Sequence, residues 1–414
     1  MQAMKTLPLF QCYYLIFLQM VSLFRNAFGG LSKQVWLLAV VMFINRSGTM
    51  VIAFLTVYLT RKLHFSIEQA GVIMTLFGAG SIFGTWMGGK LTDKIGYYPV
   101  QFWSLFLGGI MFIVMVHLQS FYPLCACALC LSAFGEAYRP ANTASIADFS
   151  TPENFTRSVS LIRLAINIGW SIGPAIGGFL AAYNYSLLFW ADGFTNIGAG
   201  LLVWAFLRST KKEKTSTKNT FVPDKNDSAF KDRIYLVFIL LATLYAIAFS
   251  QLFTIGPLFY KEACHLTEVQ IGYLLGLNGL MVALIEMVFI YKIEGKFRRL
   301  SLISFGTLLV VPNYIIFLLT HNYFWLIIGV VFATFSEMFA MPFMNAFSIE
   351  RAKPHNRGQY SALYAMSWSM AQISAPLIGT QTIARFGYDA LWYILGSLGL
   401  IATIGFGALR KKLV

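Results

Sequence analysis

The sequence predicts an all-α membrane protein, with twelve transmembrane helices in two pseudo-symmetric six-helix bundles. Three observations predict it. Hydrophobic residues make up 57% of the 414 and charged residues only 12%, about half the charged fraction of a soluble domain. Apolar runs of about 20 residues, enough to cross a hydrocarbon core roughly 30 Å thick, recur along the chain. A charged block between two such runs, Gly89-Lys90-Leu91-Thr92-Asp93-Lys94-Ile95-Gly96, returns in degraded form as Tyr291-Lys292-Ile293-Glu294-Gly295-Lys296-Phe297, which aligns Asp93 with Glu294 201 residues later. A charged turn repeated at half the chain length marks two homologous bundles, a construction shared by many membrane carriers.

The elements follow in order. Residues 1–34 read as a cytoplasmic segment; its apolar stretch Leu7–Phe24 is expected to lie on the membrane surface. Inserting that stretch as a span would carry Arg25 and Lys33 outside or invert everything after it. The first bundle, 35–207, holds spans at 35–59, 70–89, 99–118, 122–145, 159–182 and 187–207. Residues 208–233 form a cytoplasmic linker, because Lys211-Lys212-Glu213-Lys214 and Pro223-Asp224-Lys225-Asn226-Asp227 cannot bury a core. The second bundle, 234–410, holds spans at 234–258, 270–291, 300–319, 323–346, 359–381 and 389–409, and 411–414 is a cytoplasmic tail. Helices are expected throughout, since a lipid-exposed segment must satisfy its own backbone polar groups.

Basic residues orient these spans. With the N-terminus inside, only Arg61, Lys62, Lys261 and Arg385 of the 31 Lys and Arg fall in outer loops. That asymmetry places both termini in the cytoplasm. The net charge of +14 sits at helix ends and in short loops rather than on one face, so no nucleic-acid partner is expected. Cys125, Cys127 and Cys130 lie in an apolar run, unlike zinc ligands converging from turns, and read as packing rather than a metal site. Cys12 and Cys264 imply no disulfide framework. No G-x-x-x-x-G-K-[ST] loop argues for an ATP-driven pump. No catalytic triad stands out, so the chain is read as a non-enzyme without a cofactor.

Ionisable groups at membrane depth cost several kcal/mol unless paired or hydrated, which makes them functional candidates. Arg46 falls near the middle of span one, Glu136 near the middle of span four, and Glu337 at the matching place in span ten, again offset by 201. Arg46 and Glu136 have opposite signs at similar depth and are expected to pair. Burial would then raise the acid's pKa while the arginine lowers it, which suits a proton-binding group; a static packing pair is the alternative. Glu337 has no evident cation in its own half and is read as a proton-carrying acid or a contact for a cationic substrate. Arg139 lies one turn from Glu136 and can bond it locally. Arg163 is expected to snorkel, Glu286 to be structural, and Asp192 to reach the interface. The five His residues fall in loops or at span ends and form no proton relay. Tyr245 and Gln251 join Phe249, Phe253, Phe335 and Met338 in spans seven and ten, and such aromatic and methionine walls suit lipophilic ligands.

Span five carries Gly169-x-x-x-Gly173-Pro174-x-x-Gly177-Gly178, and span eleven a reduced copy, Ala375-Pro376-x-x-Gly379. Small residues at this spacing let helices approach closely, and the proline bends them.

The architecture and the charged block together resemble the major facilitator superfamily, over residues 35 to 410. Gly89, Leu91, Asp93 and Gly96 meet its signature G-x-L-x-D-x-x-G, although Tyr97-Tyr98-Pro99 stand where the family usually has basic residues. The resemblance implies that Asp93 approaches the positive dipole end of span eleven near Arg357 when the carrier opens outward. Glu294 would likewise meet span five near Ser158. The span-five run resembles the antiporter motif of proton-coupled drug exporters in this superfamily. Span four departs from that branch, since Glu136 and Arg139 stand in place of an R-x-x-x-G element. Spans one, four, seven and ten line the cavity in this family, which would bring Arg46, Glu136 and Glu337 to one aqueous chamber.

The implied function is secondary active transport by alternating access, coupled to protons and exporting lipophilic or cationic small molecules. The implied setting is a monomer spanning a bacterial inner membrane. The alternative is proton-coupled uptake or exchange of a nutrient such as a peptide or organic anion, with Arg46 binding a carboxylate.

Overall fold

The computed structural model describes residues 29–151, 154–207, 228–293, 296–352 and 356–413. The stretch Leu7–Phe24, Cys12, most of the expected linker and Glu294 lie outside the described residues.

The first half comprises α1 (Lys33–Ser47), α2 (Met50–Val57, continued by a π turn Tyr58–Lys62), α3 (Ile67–Ile95), α4 (Tyr97–Val116), α5 (Phe121–Phe149), α6 (Phe155–Tyr183) and α7 (Ser186–Leu207). The second comprises α8 (Arg233–Thr254), α9 (Gly256–Glu262), α10 (Glu268–Ile293), α11 (Arg299–Leu319), α12 (Tyr323–Arg351) and α13 (Arg357–Lys412). Within the first half α3 packs on α5, α4 on α7 and α1 on α6; within the second α8 and α11 pack on α13, and α10 and α11 on α12. The halves meet along two seams, α6 against α10 and α3 against α13.

Two boundaries differ from the sequence reading. Span one is not a single helix: α1 ends at Ser47 and α2 starts at Met50, across Gly48-Thr49. Span two runs on to Ile95, so the charged block from Gly89 is helical up to Gly96. Spans eleven and twelve are two helices within α13, and the chain turns between them at Gly387, whose φ of 80° is one a glycine adopts without a Cβ clash.

Pseudo-symmetry extends to individual bonds. His64 and His265, 201 residues apart, are the two described non-glycine residues with positive φ, at 58° and 55°. After each comes the same cap: Gln69 N–H bonds Ser66 Oγ at 3.2 Å while Ser66 N–H bonds Gln69 Oε1 at 3.1 Å. Thr267 and Gln270 repeat it at 3.3 and 2.9 Å. The reciprocal bonds satisfy amides that the first helical turn leaves free.

Large apolar side chains also face outward, among them Phe194, Leu284, Ile404 and Phe386. Hydrocarbon is as apolar as the interior, so helix association here rests on close packing and interhelical hydrogen bonds rather than on escape from water. An aromatic nest packs the second half, where Trp392 lies 4.9 Å from Phe259, 5.0 Å from Phe317 and 5.7 Å from Tyr314 between ring centroids.

Candidate functional site

The break in span one is held by a buried acid. Asp192 of α7 is fully buried and accepts from Met50 N–H at 3.2 Å and Val51 N–H at 2.8 Å. A helix started inside the membrane leaves its first amides without partners, and a carboxylate at that positive end satisfies two of them. Asp192 therefore does not reach the interface as the sequence reading expected. Beside it, Asn45 donates to Asn196 Oδ1 at 2.7 Å, and Asn196 donates to the Asp192 carbonyl at 2.8 Å.

This break places Arg46 in the last turn of α1. The span-five glycines set its position from below. A Cβ at Gly169 would meet Arg46 Cβ and the Ser47 amide, one at Gly173 the Ser47 carbonyl, and one at Gly177 Met50. Gly178 faces the other way, onto Glu268 and Gly272 of α10. The run around Pro174 thus lets α6 approach span one on one side and the second half on the other. The symmetry mate follows suit: Gly379, after Pro376, packs on Gln251, which stands 201 residues after Met50.

Arg46 lies within electrostatic reach of Glu136 and Arg139. The expected Arg46–Glu136 ion pair is not formed. Glu136 instead has Arg139 Nε 3.2 Å from its Oε2, an i,i+3 neighbour on α5. One turn of helix sets that contact without any tertiary adjustment, which is why it prevails. Arg46 Nε and Ser47 Oγ are buried without hydrogen-bond partners.

In the second half, Glu337 Oε2 accepts from Asn278 Nδ2 of α10 at 3.1 Å, and Asn278 also donates to Thr334 Oγ1 at 3.1 Å. No ion pair to Glu337 is found among the described residues. Nearby, Arg163 of α6 crosses the seam to bond Glu286 of α10, and Asn167 donates to the other Glu286 oxygen at 3.4 Å. Arg163 therefore does not snorkel, and Glu286 joins the two halves. Sequence reasoning missed this pair and Asn278. An arginine and a glutamate 123 residues apart carry no local signal, and neither has a charged symmetry mate.

Tyr245 and Gln251 are buried within the second half rather than lining an opening. Tyr245 hydroxyl is 3.0 Å from Ser336 Oγ, and Gln251 Nε2 donates to the Ala375 carbonyl at 2.7 Å, next to the Pro376 kink.

The two ends of the molecule differ. At one, contacts cross between halves: Arg61 Nε lies 3.3 Å from Glu262, Tyr185 hydroxyl donates to Glu268 at 2.8 Å, and Thr56 donates to the Thr254 carbonyl at 3.0 Å. Burial, and then the bond to Glu268, push the Tyr185 phenol pKa up, so it stays a donor. At the opposite end, the ion pairs and side-chain bonds found among the described residues stay within a half: Tyr97 with Asp148, Arg299 with Glu350, and Arg351 bidentate to Asp232 at 2.6 and 2.9 Å. The signature acid Asp93 lies at this opposite end and is exposed, as Gly96 turns the chain with φ of 88°. Gly89 has open space where a Cβ would stand, and Leu91 is half-buried.

Among the described residues no cluster of three or more His, Cys, Asp or Glu is placed to hold a metal.

Comparison with known proteins fits this geometry. A family model described as Major Facilitator Superfamily matches residues 35–376 and 295–412. A "Na(+), Li(+), K(+)/H(+) antiporter" of Planococcus maritimus is 27% identical over 395 residues, covering 87% of this chain and 91% of that protein. The "Quinolone resistance protein NorA" of Staphylococcus aureus (strain MSSA476) is 23% identical over 351 residues, covering 84% and 89%. Among solved structures, a POT family transporter in complex with a thioalcohol-conjugated peptide superposes with a TM-score of 0.79 at 16% identity, covering 94% of this chain and 98% of that one. That likeness concerns the fold alone.

Proposed function

The chain belongs to the major facilitator superfamily, and from that premise we propose that this transporter is a proton-coupled antiporter exporting small lipophilic or cationic solutes. It is a multi-pass integral membrane protein, and transport requires a bilayer and a small-molecule substrate. The observation that carries the proposal is Glu337: an acid at membrane depth whose one described hydrogen-bond donor is the neutral amide of Asn278. Without a cation to hold it ionised, such a carboxyl binds a proton or a cationic substrate in turn. The names of two relatives, a cation/proton antiporter and a quinolone resistance protein, support the same reading.

In this reading the halves rock about the midplane. The clasped end, with Arg61–Glu262 and Tyr185–Glu268, is the outer end, and both termini are cytoplasmic. Asp93 and Glu294 act in the other state, when the opposite end closes and Asp93 meets the positive start of α13. Gly96 makes that turn, Gly89 and Leu91 belong to the last turns of α3 before it, and the glycines around Pro174 form the bearing surface between span one and α10. Arg46, Glu136 and Arg139 belong to the substrate chamber of the first half, with Tyr245 and Gln251 bracing the second. The working unit is a monomer in a bacterial inner membrane.

One observation favours a second reading. Arg46 Nε is buried without a partner, as a guanidinium waiting for a substrate carboxylate would be, and that fits proton-coupled uptake of a nutrient such as a peptide or organic anion.

Flux in proteoliposomes under opposite imposed pH gradients separates the two. A lipophilic cationic dye, with sodium ion as a second probe, is expected to move against the proton gradient. Movement of either probe together with protons, or no response to the gradient, would overturn antiport.

A further inference from the structure

At the unclasped end of the second half, a cavity of about 390 Å³ lies between the start of α11 and the end of α13. It is lined by Arg298, Ser301, Arg410 and Lys411. None of the three cations has an acid within ion-pair distance among the described residues; the neighbouring acid, Glu350, is taken by Arg299. Arg410 is turned into the pocket and donates to Ser301 Oγ at 3.2 Å. Among the described residues no side chain caps the first turn of α11, where Arg298 is the N-cap residue, so the positive end of that helix borders the same space.

Below the charges the surface is apolar. Phe305 and Leu308 stand four and seven residues after Ser301 on α11, and Ile404 and Ile401 stand seven and ten before Lys411 on α13; all four are exposed. Helical spacing puts them on the faces that carry the pocket residues. The two helices are joined directly behind this strip, where Ser304 donates to the Thr403 carbonyl at 2.9 Å. A ligand that fits both parts has an anionic head and a long apolar tail.

On the α11 side, the symmetry-related positions of the first half are not basic. Tyr97 and Tyr98 stand 201 residues before Arg298 and Arg299. Tyr97 donates to Asp148 and Tyr98 to the Trp204 carbonyl.

We propose that this pocket binds the phosphate headgroup of an anionic phospholipid, with the acyl chains lying along the Phe305–Ile404 strip. Basic pockets between transmembrane helices hold lipid phosphates in this way, each cation adding to the attraction. The site lies on the outer face of the second half and goes beyond the transport reading.

The test is a thermal-shift titration of the purified full-length protein in neutral detergent, with phosphatidylglycerol, phosphatidylcholine and sodium phosphate as probes. Phosphatidylglycerol is expected to raise Tm where phosphatidylcholine does not. Arg298→Gln/Arg410→Gln should need roughly 30-fold more phosphatidylglycerol for the same shift. Arg298→Lys/Arg410→Lys, which keeps the charge, should titrate close to wild type. The control Lys231→Gln/Arg233→Gln removes equal charge from the same end and should leave the titration unchanged. A pocket variant that titrates like wild type, or a control that loses the shift equally, would overturn the site. Equal stabilisation by sodium phosphate would overturn the lipid assignment in favour of a free anion.

Discussion

The two halves share a backbone plan and differ in how they treat charge. In the first, each interior charge has a nearby counterpart: Glu136 has Arg139 at 3.2 Å, Asp192 has two backbone amides, and Arg46 lies within reach of Glu136. In the second, the one donor to Glu337 among the described residues is an amide, and Glu286 finds its cation in the first half. A symmetric pair of positions, Glu136 and Glu337, has thus become asymmetric through its neighbours. In the proposed antiport, the acid left without a described cation is the one assigned the proton. The charge that crosses the seam ties that half's chemistry to the contact between halves.

Six single substitutions break or sharpen this comparison. Glu337→Gln is expected to reduce pH-driven uphill transport at least about tenfold while sparing exchange down the substrate's own gradient. Glu136→Gln should do much less, because that acid already has Arg139 as its partner; equal losses in both would make the halves equivalent. Flux in proteoliposomes with and without a pH gradient decides this.

Asp192→Ala removes the acceptor of two buried amides and should cost about 2–3 kcal/mol, read as a lower Tm in detergent. A wild-type Tm would mean that the span-one break holds without its cap. Arg163→Ala leaves Glu286 buried and unpaired. Because Arg163 is itself 52% exposed, we expect about 2 kcal/mol, less than for a fully buried pair. Arg163→Glu/Glu286→Arg should recover much of the loss, and failure to do so would argue against pairing across the seam.

Asp232 caps α8 through Tyr235 N–H at 3.1 Å and takes both Arg351 bonds. Burial pushes its carboxyl pKa up, but the Arg351 bonds and the Tyr235 amide outweigh that and leave it below the ordinary 3.8. A depressed carboxylate contributes stability that is full above its ordinary value and is lost as pH falls through the lower folded value. Asp232→Asn should therefore lower stability by about 1 kcal/mol at neutral pH and make little difference in strong acid. Parallel Tm curves for wild type and variant across that range would contradict it.

The smallest effect is expected at Asp93. A charge at a helix end is worth about 0.3–1 kcal/mol, so Asp93→Asn should depopulate the outward-open state by roughly two- to fivefold. Transport should fall modestly while Tm is unchanged, since the side chain is exposed in the state seen here. Cysteine accessibility at the clasped end would report the shift, and unaltered accessibility would remove Asp93 from gating.

Much of the fold was legible because a bilayer imposes a one-dimensional code. Segment length, apolar content and the Lys/Arg asymmetry are properties of residues in order, and a repeat at 201 residues needs no coordinates to see. The apolar spans and the place of the charged block between spans two and three follow from these alone, whereas that block is a turn only at Gly96 and helix before it. The depth of Arg46, Glu136 and Glu337 follows as well, because depth along a helix is counted from its ends. Three features needed the tertiary structure. Span one breaks at Gly48-Thr49, which local propensity does not force and a carboxylate from α7 stabilises. Arg46 does not pair with Glu136, because sign and depth do not fix azimuth, and an i,i+3 arginine is nearer than one on another helix. Arg163 meets Glu286 only because Gly276 and Gly279 let α10 approach Ser171 of α6. Composition and period state how far along the membrane a side chain lies; which neighbour it faces is decided by how the helices are rotated and packed against one another.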